Sequence, residues 1–173
     1  IGAGLSGDIY MGLLRKGGRF GKAKSLHRCA IKQPKRDSGH EERTELLNEA
    51  ALMAQFDHKN VVKLIGVVTR RQQCMVLMEL CELGSLLDVL KNEGLQKSQT
   101  HTTVTTATVL GIACNVTQGM VYLSNLSFVH RDLACRNILI NKRRVCKIAD
   151  FGRSRLLAKS KHYYYVHKGG MSP

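Results

Sequence analysis

His130-Arg131-Asp132-Leu133-Ala134-Cys135-Arg136-Asn137, followed by Asp150-Phe151-Gly152, is the stretch on which the reading of this chain turns. It sets two acids and an amide at a spacing that suits phosphoryl transfer. Asp132 can accept the proton of a hydroxyl nucleophile. Asn137 and Asp150 can hold magnesium on a nucleoside triphosphate. The string is long and ordered, so coincidence explains it poorly.

Working outward, the 173 residues fit one domain, and the hydrophobic share of 43% is that of a globular protein. No apolar run approaches membrane-spanning length, and no signal-peptide pattern opens the chain. The cysteines Cys29, Cys74, Cys81, Cys114, Cys135 and Cys146 form no C-x-x-C pair, and they read as reduced thiols rather than a disulfide or zinc framework. Asn115-Val116-Thr117 and Asn125-Leu126-Ser127 match the glycosylation sequon, and their place around a helix makes them chance matches. The net charge of +14 would suit a nucleic-acid binder. Residues 131–173, however, hold eleven Lys/Arg and two acids, so the excess sits where phosphates would be handled. Tyr163-Tyr164-Tyr165 is not interleaved with bases, which argues against a nucleic-acid partner.

Patterning divides the chain into a strand-rich half and a helix-rich half. Strands are expected over Gly4–Leu14, Arg28–Lys32, Leu64–Val68 and Met75–Leu80, with one helix over Glu41–Phe56. Helices follow at Ser85–Lys91 and Val109–Leu123. Short strands return at Ile138–Ile140 and Val145–Ile148 around the polar turn Asn141–Arg144. The Thr-rich segment Glu93–Thr108 reads as a surface loop or frayed helix entry.

Gly2-Ala3-Gly4-Leu5-Ser6-Gly7 is a G-x-G-x-x-G string. A dinucleotide-binding fold would need a helix directly after it and an acid about 20 residues on. Here Asp8-Ile9-Tyr10-Met11 is strand-like, and no acid falls between Asp8 and Asp37. A side-chain-free flap over phosphates fits better. Strand alternation sets Ala30 and Lys32 on one face. Helical spacing sets Leu46, Glu49, Met53 and Phe56 on one face, so Glu49 lies among apolar neighbours and needs a partner, for which Lys32 is the candidate.

Together these strings resemble the catalytic core of protein kinases, and the resemblance runs from Ile1 to Pro173. It implies an α+β, two-lobed protein-kinase-like fold: a strand-rich N-lobe with one main helix over 1–79, a hinge at 80–84, and an incomplete helical C-lobe over 85–173. It implies ATP and Mg2+ as cofactors. By the same resemblance Asp132 is the base and Asn137 and Asp150 are metal ligands. Lys32, locked by Glu49, steadies the α- and β-phosphates. Ile1, Gly2, Gly4 and Gly7 form the flap, Ile9 and Leu139 cover and floor the adenine, and Ala30 leaves room for it. Met78 is the gatekeeper, and Glu79 and Cys81 offer backbone groups to the base. His130 and Phe151 are structural.

Ala134 and Arg136 resemble the L-A-A-R-N string of tyrosine kinases, where serine/threonine kinases carry Lys two residues after the base. Arg136 then supplies the missing positive charge, and the A-x-R order resembles the receptor type. Arg131 would pair with a phosphate on Tyr163, Tyr164 or Tyr165. Partners implied are protein substrates with tyrosine and a second receptor copy for trans-phosphorylation. The membrane would enter only through flanking segments, with the domain on the cytoplasmic side of the plasma membrane, or in the cytoplasm if the parent is not a receptor. A pseudokinase scaffold that binds without turnover is the alternative.

Two departures stand out. Cys29 replaces a valine, and Arg153 replaces the apolar residue usual after D-F-G, where a charge is expected to disturb inward packing. The chain also opens without Met and stops at Pro173, before an A-P-E string. The isolated chain is therefore expected to be poorly stable and barely active, with an apolar face on the helix around Val109–Leu123 left uncovered.

Overall fold

A computed structural model describes residues 2–4, 7–15, 26–35, 38–70, 74–95 and 105–157, with backbone alone for 2–4 and 92–95. Ile1 and Tyr163–Tyr165 lie outside the described residues.

The first half is a five-stranded antiparallel sheet of β1 (Gly2–Gly4), β2 (Gly7–Arg15), β3 (Leu26–Gln33), β4 (Leu64–Val68) and β5 (Met75–Glu79), in the order β1-β2-β3-β5-β4. The register sets Ile9 opposite Lys32 and Ala30 opposite Met78. Gly7 opens β2 at φ 149°, and a Cβ there would lie 2.1 Å from the Gln33 carbonyl oxygen. Only glycine lets β2 approach β3 so closely at that position.

Helix α1 (His40–Met53) lies between β3 and β4 in the chain and packs against β4 and β5. Glu41 and Glu42 in its first turn favour its N-terminal dipole. Leu46, Glu49, Ala50 and Met53 are buried, as the 3/4 spacing requires. Leu46 and Ala50 pack with Val76, and this small cluster fixes the helix to the sheet.

A larger core joins Met53 and Phe56 to Val61, Val62, Leu123, Phe128, Ile138, Ile148 and Phe151. Its centre is the hairpin of β7 (Ile138–Ile140) and β8 (Cys146–Ile148). Backbone bonds clamp this hairpin on both sides. Val62 donates to the Ile148 carbonyl and Ile148 to the Asn60 carbonyl, each at 2.9 Å. Leu83 donates to Ile140 at 3.0 Å, and Ile140 to Gly84 at 2.9 Å. The residues just before Asp150 are thereby held by main chain rather than by side chains alone.

Helix α2 (Leu86–Leu95) starts from Ser85, whose Oγ accepts the Asp88 backbone N–H at 3.1 Å. Helix α3 (Thr106–Asn125) is capped by Thr105, which accepts from the Thr108 N–H. Both helices run longer than patterning suggested, so residues 93–95 and 106–108 of the expected loop are helical. The pairing of β6 (Phe128–Val129) with β9 (Arg155–Leu156) was not expected at all, because two-residue strands carry no periodicity.

On α3 only Gly119 and Leu123 are fully buried, and Val109, Leu110 and Val121 are 50, 61 and 54% exposed. The expected uncovered apolar stripe is present. Gly119 lies where α3 meets the hairpin: a Cβ would sit 2.7 Å from both the Asn60 carbonyl oxygen and Ile148 Cδ1. Gly119→Ala should cost about 1–3 kcal/mol in urea unfolding, outweighing the ~1 kcal/mol that alanine gains in a helix. A variant as stable as the parent would show that α3 can shift freely.

Candidate active site

One cavity is lined by Ile9, Lys32, Glu49, Met53, Val62, Met78, Glu79, Asp132, Arg136, Asn137, Leu139, Ala149 and Asp150. Its upper wall comes from β2, β3 and β5, its back from α1, and its floor from β7 and the segments flanking the hairpin. Gly7, Ala30 and Cys81 are not part of this lining, although Ala30 is buried on β3 directly across from Met78.

Lys32 Nζ donates to Glu49 Oε2 at 2.7 Å, and the two side chains are only 6 and 4% exposed. Neither charge tolerates such burial alone, so each fixes the other.

The segment 130–137 is organised by hydrogen bonds to main chain. His130, 2% exposed, has its Nε2 3.0 Å from the Ala149 carbonyl oxygen. That acceptor requires the hydrogen on Nε2, which leaves Nδ1 to accept the Asp132 N–H at 3.3 Å. Both ring nitrogens are thus committed to backbone, and no proton remains for chemistry. Arg131 stands at φ 65°, and its Nε donates to the Arg153 carbonyl at 2.6 Å.

Asp132 Oδ1 accepts from Arg136, four residues on. Asp132 Oδ2 accepts from Asn137 Nδ2 at 3.0 Å, and the same Nδ2 donates to the Asp132 carbonyl at 2.8 Å. Asn137 in turn accepts the Ala149 N–H on its own carbonyl at 2.9 Å, which ties the loop to the residue before Asp150.

Asp150 adopts φ 62°, a left-handed conformation that aspartate tolerates better than most residues. Phe151, 1% exposed, anchors it from the next position, packing on Phe56 at 4.9 Å and on His130 at 5.2 Å. Arg153 does not disturb this packing as expected. Its side chain is exposed, and Ser154, 1% exposed, takes the inward place with Oγ donating to the His130 carbonyl at 3.2 Å. A small hydroxyl that can satisfy a buried carbonyl fits where a guanidinium could not.

The donor set fits a hard divalent cation shared with phosphate. Asp150 carries no hydrogen bond or ion pair among the described residues. With Nδ2 of Asn137 engaged, its Oδ1 is the atom left for a metal. Both are oxygen donors lining the same cavity as Lys32. Among the described residues no three His, Cys, Asp or Glu side chains cluster as a cage. A cation here would complete its shell with phosphate oxygens and water, the habit of magnesium.

Sequence reading gave Glu79 a backbone role only. Its carboxylate Oε1 also accepts from Lys147 Nζ at 2.9 Å and from the Lys63 N–H at 2.7 Å. Its own N–H donates to the Lys63 carbonyl at 3.0 Å. Lys147, on β8 between the apolar Cys146 and Ile148, is 8% exposed and was not singled out. A lone lysine in an apolar strand was the available signal. Asn60 was missed as well: its Nδ2 bonds Asn115 Oδ1 and the Cys146 carbonyl, each at 2.9 Å.

Cys81 lies next to this wall. Burial, aided by the Glu79 charge, raises its thiol pKa to about 12. At pH 8 its thiolate fraction is then about one in ten thousand, so maleimide should label it roughly a thousandfold more slowly than an ordinary thiol. The exposed Cys114 and Cys135 should label first. Mass-resolved time courses check this, and early labelling of Cys81 would contradict it.

A model of the protein tyrosine and serine/threonine kinase family matches residues 1–173. The chain belongs to that family. Members imply ATP and a divalent metal at such a cleft, in accord with the oxygen donors above. Among curated relatives it is 40% identical over 173 residues to ephrin type-A receptor 3 of Danio rerio, covering 100% of this chain and 16% of the relative. It is 41% identical over 162 residues to ephrin type-B receptor 3 of Xenopus laevis, covering 93% and 15%. With ephrin type-A receptor 5 of Gallus gallus it shares 40% identity over 173 residues, covering 100% and 16%. The chain spans about a sixth of the length of these relatives. No helix among the described residues is long and apolar enough to cross a membrane.

Proposed function

We propose that this kinase chain transfers the γ-phosphoryl group of ATP to tyrosine hydroxyls of proteins, with Mg2+ as the metal, as part of a receptor tyrosine kinase. The observation that carries this reading is the buried Lys32–Glu49 pair, lining one cavity with Asp132, Asn137 and Asp150.

Asp132, oriented by Arg136 and Asn137, would take the proton of the acceptor hydroxyl. Lys32 would steady the α- and β-phosphates. Ile9 and Leu139 would hold the adenine, with Met78 behind it and backbone groups of Glu79 and Cys81 at its edge. Gly2, Gly4 and Gly7 would let the main chain close over the phosphates. Bound magnesium would supply charge neutralisation on the triphosphate, and Asn137 and Asp150 are the residues that would hold it. Ala134 leaves room for a phenol, and Arg136 keeps a positive charge beside the base.

In this reading residues 1–79 form the N-lobe, 80–84 the hinge and 85–173 the described and remaining part of the C-lobe. Arg131, bound among the described residues through Nε only, would keep its terminal nitrogens for a phosphate on one of Tyr163–Tyr165. The parent receptor would bring two copies together at the cytoplasmic face of the plasma membrane for trans-phosphorylation. The test is incubation with labelled ATP and Mg2+ over tyrosine- and serine-containing acceptors. Label on phosphotyrosine is expected. Label confined to serine would refute the acceptor, and nucleotide binding with no label on either would favour a pseudokinase.

A further inference from the structure

β2 and β3 run on beyond their neighbours in the sheet. β1 pairs with β2 only as far as Ile9, and β5 pairs with β3 only from Cys29. Leu13–Arg15 and Leu26–Arg28 therefore pair with each other and, among the described residues, with no third strand. They form a two-stranded ribbon that overhangs the sheet. Two strands alone have no core in which to bury a side chain.

One side of this ribbon is built from two leucines and two arginines. Leu13 stands opposite Arg28, and Leu26 opposite Arg15. Directly opposed residues share a side, and alternation joins position 13 to 15 and 26 to 28. Leu13 is 66% and Leu26 58% exposed, and both arginines are exposed. Neither arginine forms an ion pair with a described carboxylate. The surrounding sequence adds no acid: residues 9–36 hold nine Lys/Arg and no Asp or Glu. None of the four lines the cavity that holds Asp132, so the catalytic arrangement does not account for them.

We infer that this side of the ribbon is a docking surface for the anionic face of a phospholipid bilayer. Arg15 and Arg28 pair with lipid phosphates, and Leu13 and Leu26 enter among the headgroups. Leucines beside unpaired arginines match an interface that is charged at its surface and apolar beneath. A nucleic-acid duplex would satisfy the arginines and leave the leucines in water. In the receptor reading such a leaflet lies beside the chain, and the contact is made by the chain itself rather than by flanking segments. It does not depend on phosphoryl transfer, so binding is measured without ATP.

The experiment is sedimentation with vesicles of phosphatidylcholine, alone or mixed with phosphatidylserine in equal parts. The native chain should bind the mixed vesicles and not the neutral ones. Arg15→Gln/Arg28→Gln should weaken binding about tenfold or more. Leu13→Ser/Leu26→Ser should weaken it about tenfold. Melting midpoints should stay unchanged, because all four side chains are exposed. Lys59→Gln/Arg153→Gln removes the same charge from exposed positions near α3 and α1, and should weaken binding less than about threefold. The chain has no tryptophan, so Leu26→Trp supplies a single probe whose emission should shift to the blue on mixed vesicles. Equal losses from the two charge-removing pairs would reduce the binding to net charge and overturn the inference. An unshifted emission, full binding by the leucine variant, or no vesicle binding by the native chain would overturn it too. So would binding of duplex DNA through the same arginines in place of vesicles.

Discussion

Asp132→Asn is expected to lower turnover by about a thousandfold, with nucleotide affinity held within about twofold. The carboxylate is fixed at two points, Oδ1 by Arg136 and Oδ2 by Asn137 Nδ2 at 3.0 Å. Asparagine keeps the shape but offers only one acceptor oxygen. If that oxygen keeps Arg136, an NH2 faces the NH2 of Asn137, so the hydroxyl loses both its proton acceptor and its guide. Steady-state rates with a nucleotide titration separate the two effects. A rate near that of the parent would remove Asp132 as the base. A matched loss of nucleotide binding would mean that the substitution had disturbed Asn137 instead.

Glu49→Ala is expected to destabilise the fold by about 3–5 kcal/mol, the usual cost of leaving one member of a buried ion pair alone. Lys32 is 5% exposed, and without Glu49 its ammonium has no described partner. For a chain of this size that is a fall of roughly 10 °C in the melting midpoint. Lys32→Met strands the carboxylate in turn and should cost a similar amount. The double variant Lys32→Met/Glu49→Leu replaces both charges by apolar groups and should regain most of the loss while abolishing transfer. Denaturant unfolding of the native protein, Lys32→Met, Glu49→Leu and the double variant closes the cycle. Additive single effects would show that the two side chains are not energetically coupled, whatever their separation.

Most of the cavity lining was legible from the ordered strings around Asp132 and Asp150, and two members of the site from local periodicity as well. Glu49 falls on the buried face of α1 by its 3/4 spacing, and Lys32 falls beside Ala30 by alternation along β3. The helical pattern survives folding because α1 buries a single face; on β3, where Cys29 on the other side is buried as well, alternation still fixes which residues share a side. What could not be read depends on contacts between distant segments. The Lys147–Glu79 pair joins β8 to the end of β5, and neither residue's neighbours announce the other. Asn60 bonds Asn115 and Cys146, far away in the chain. The left-handed backbone at Arg131 goes with its Nε bond to the Arg153 carbonyl, and that at Asp150 with the packing of Phe151 on Phe56 and His130. Arg153 was expected to face inward because a family pattern has an apolar residue there. The exchange of roles with Ser154 depends on the buried His130 carbonyl, which no string of letters displays.

Titration calorimetry of a non-hydrolysable ATP analogue, with and without Mg2+, on the native protein and Asp150→Ala tests the central claim most directly. The account predicts metal-dependent uptake by the native protein and an affinity weakened about tenfold or more in the variant. Absence of uptake by the native protein, or uptake indifferent to both magnesium and Asp150, would contradict it.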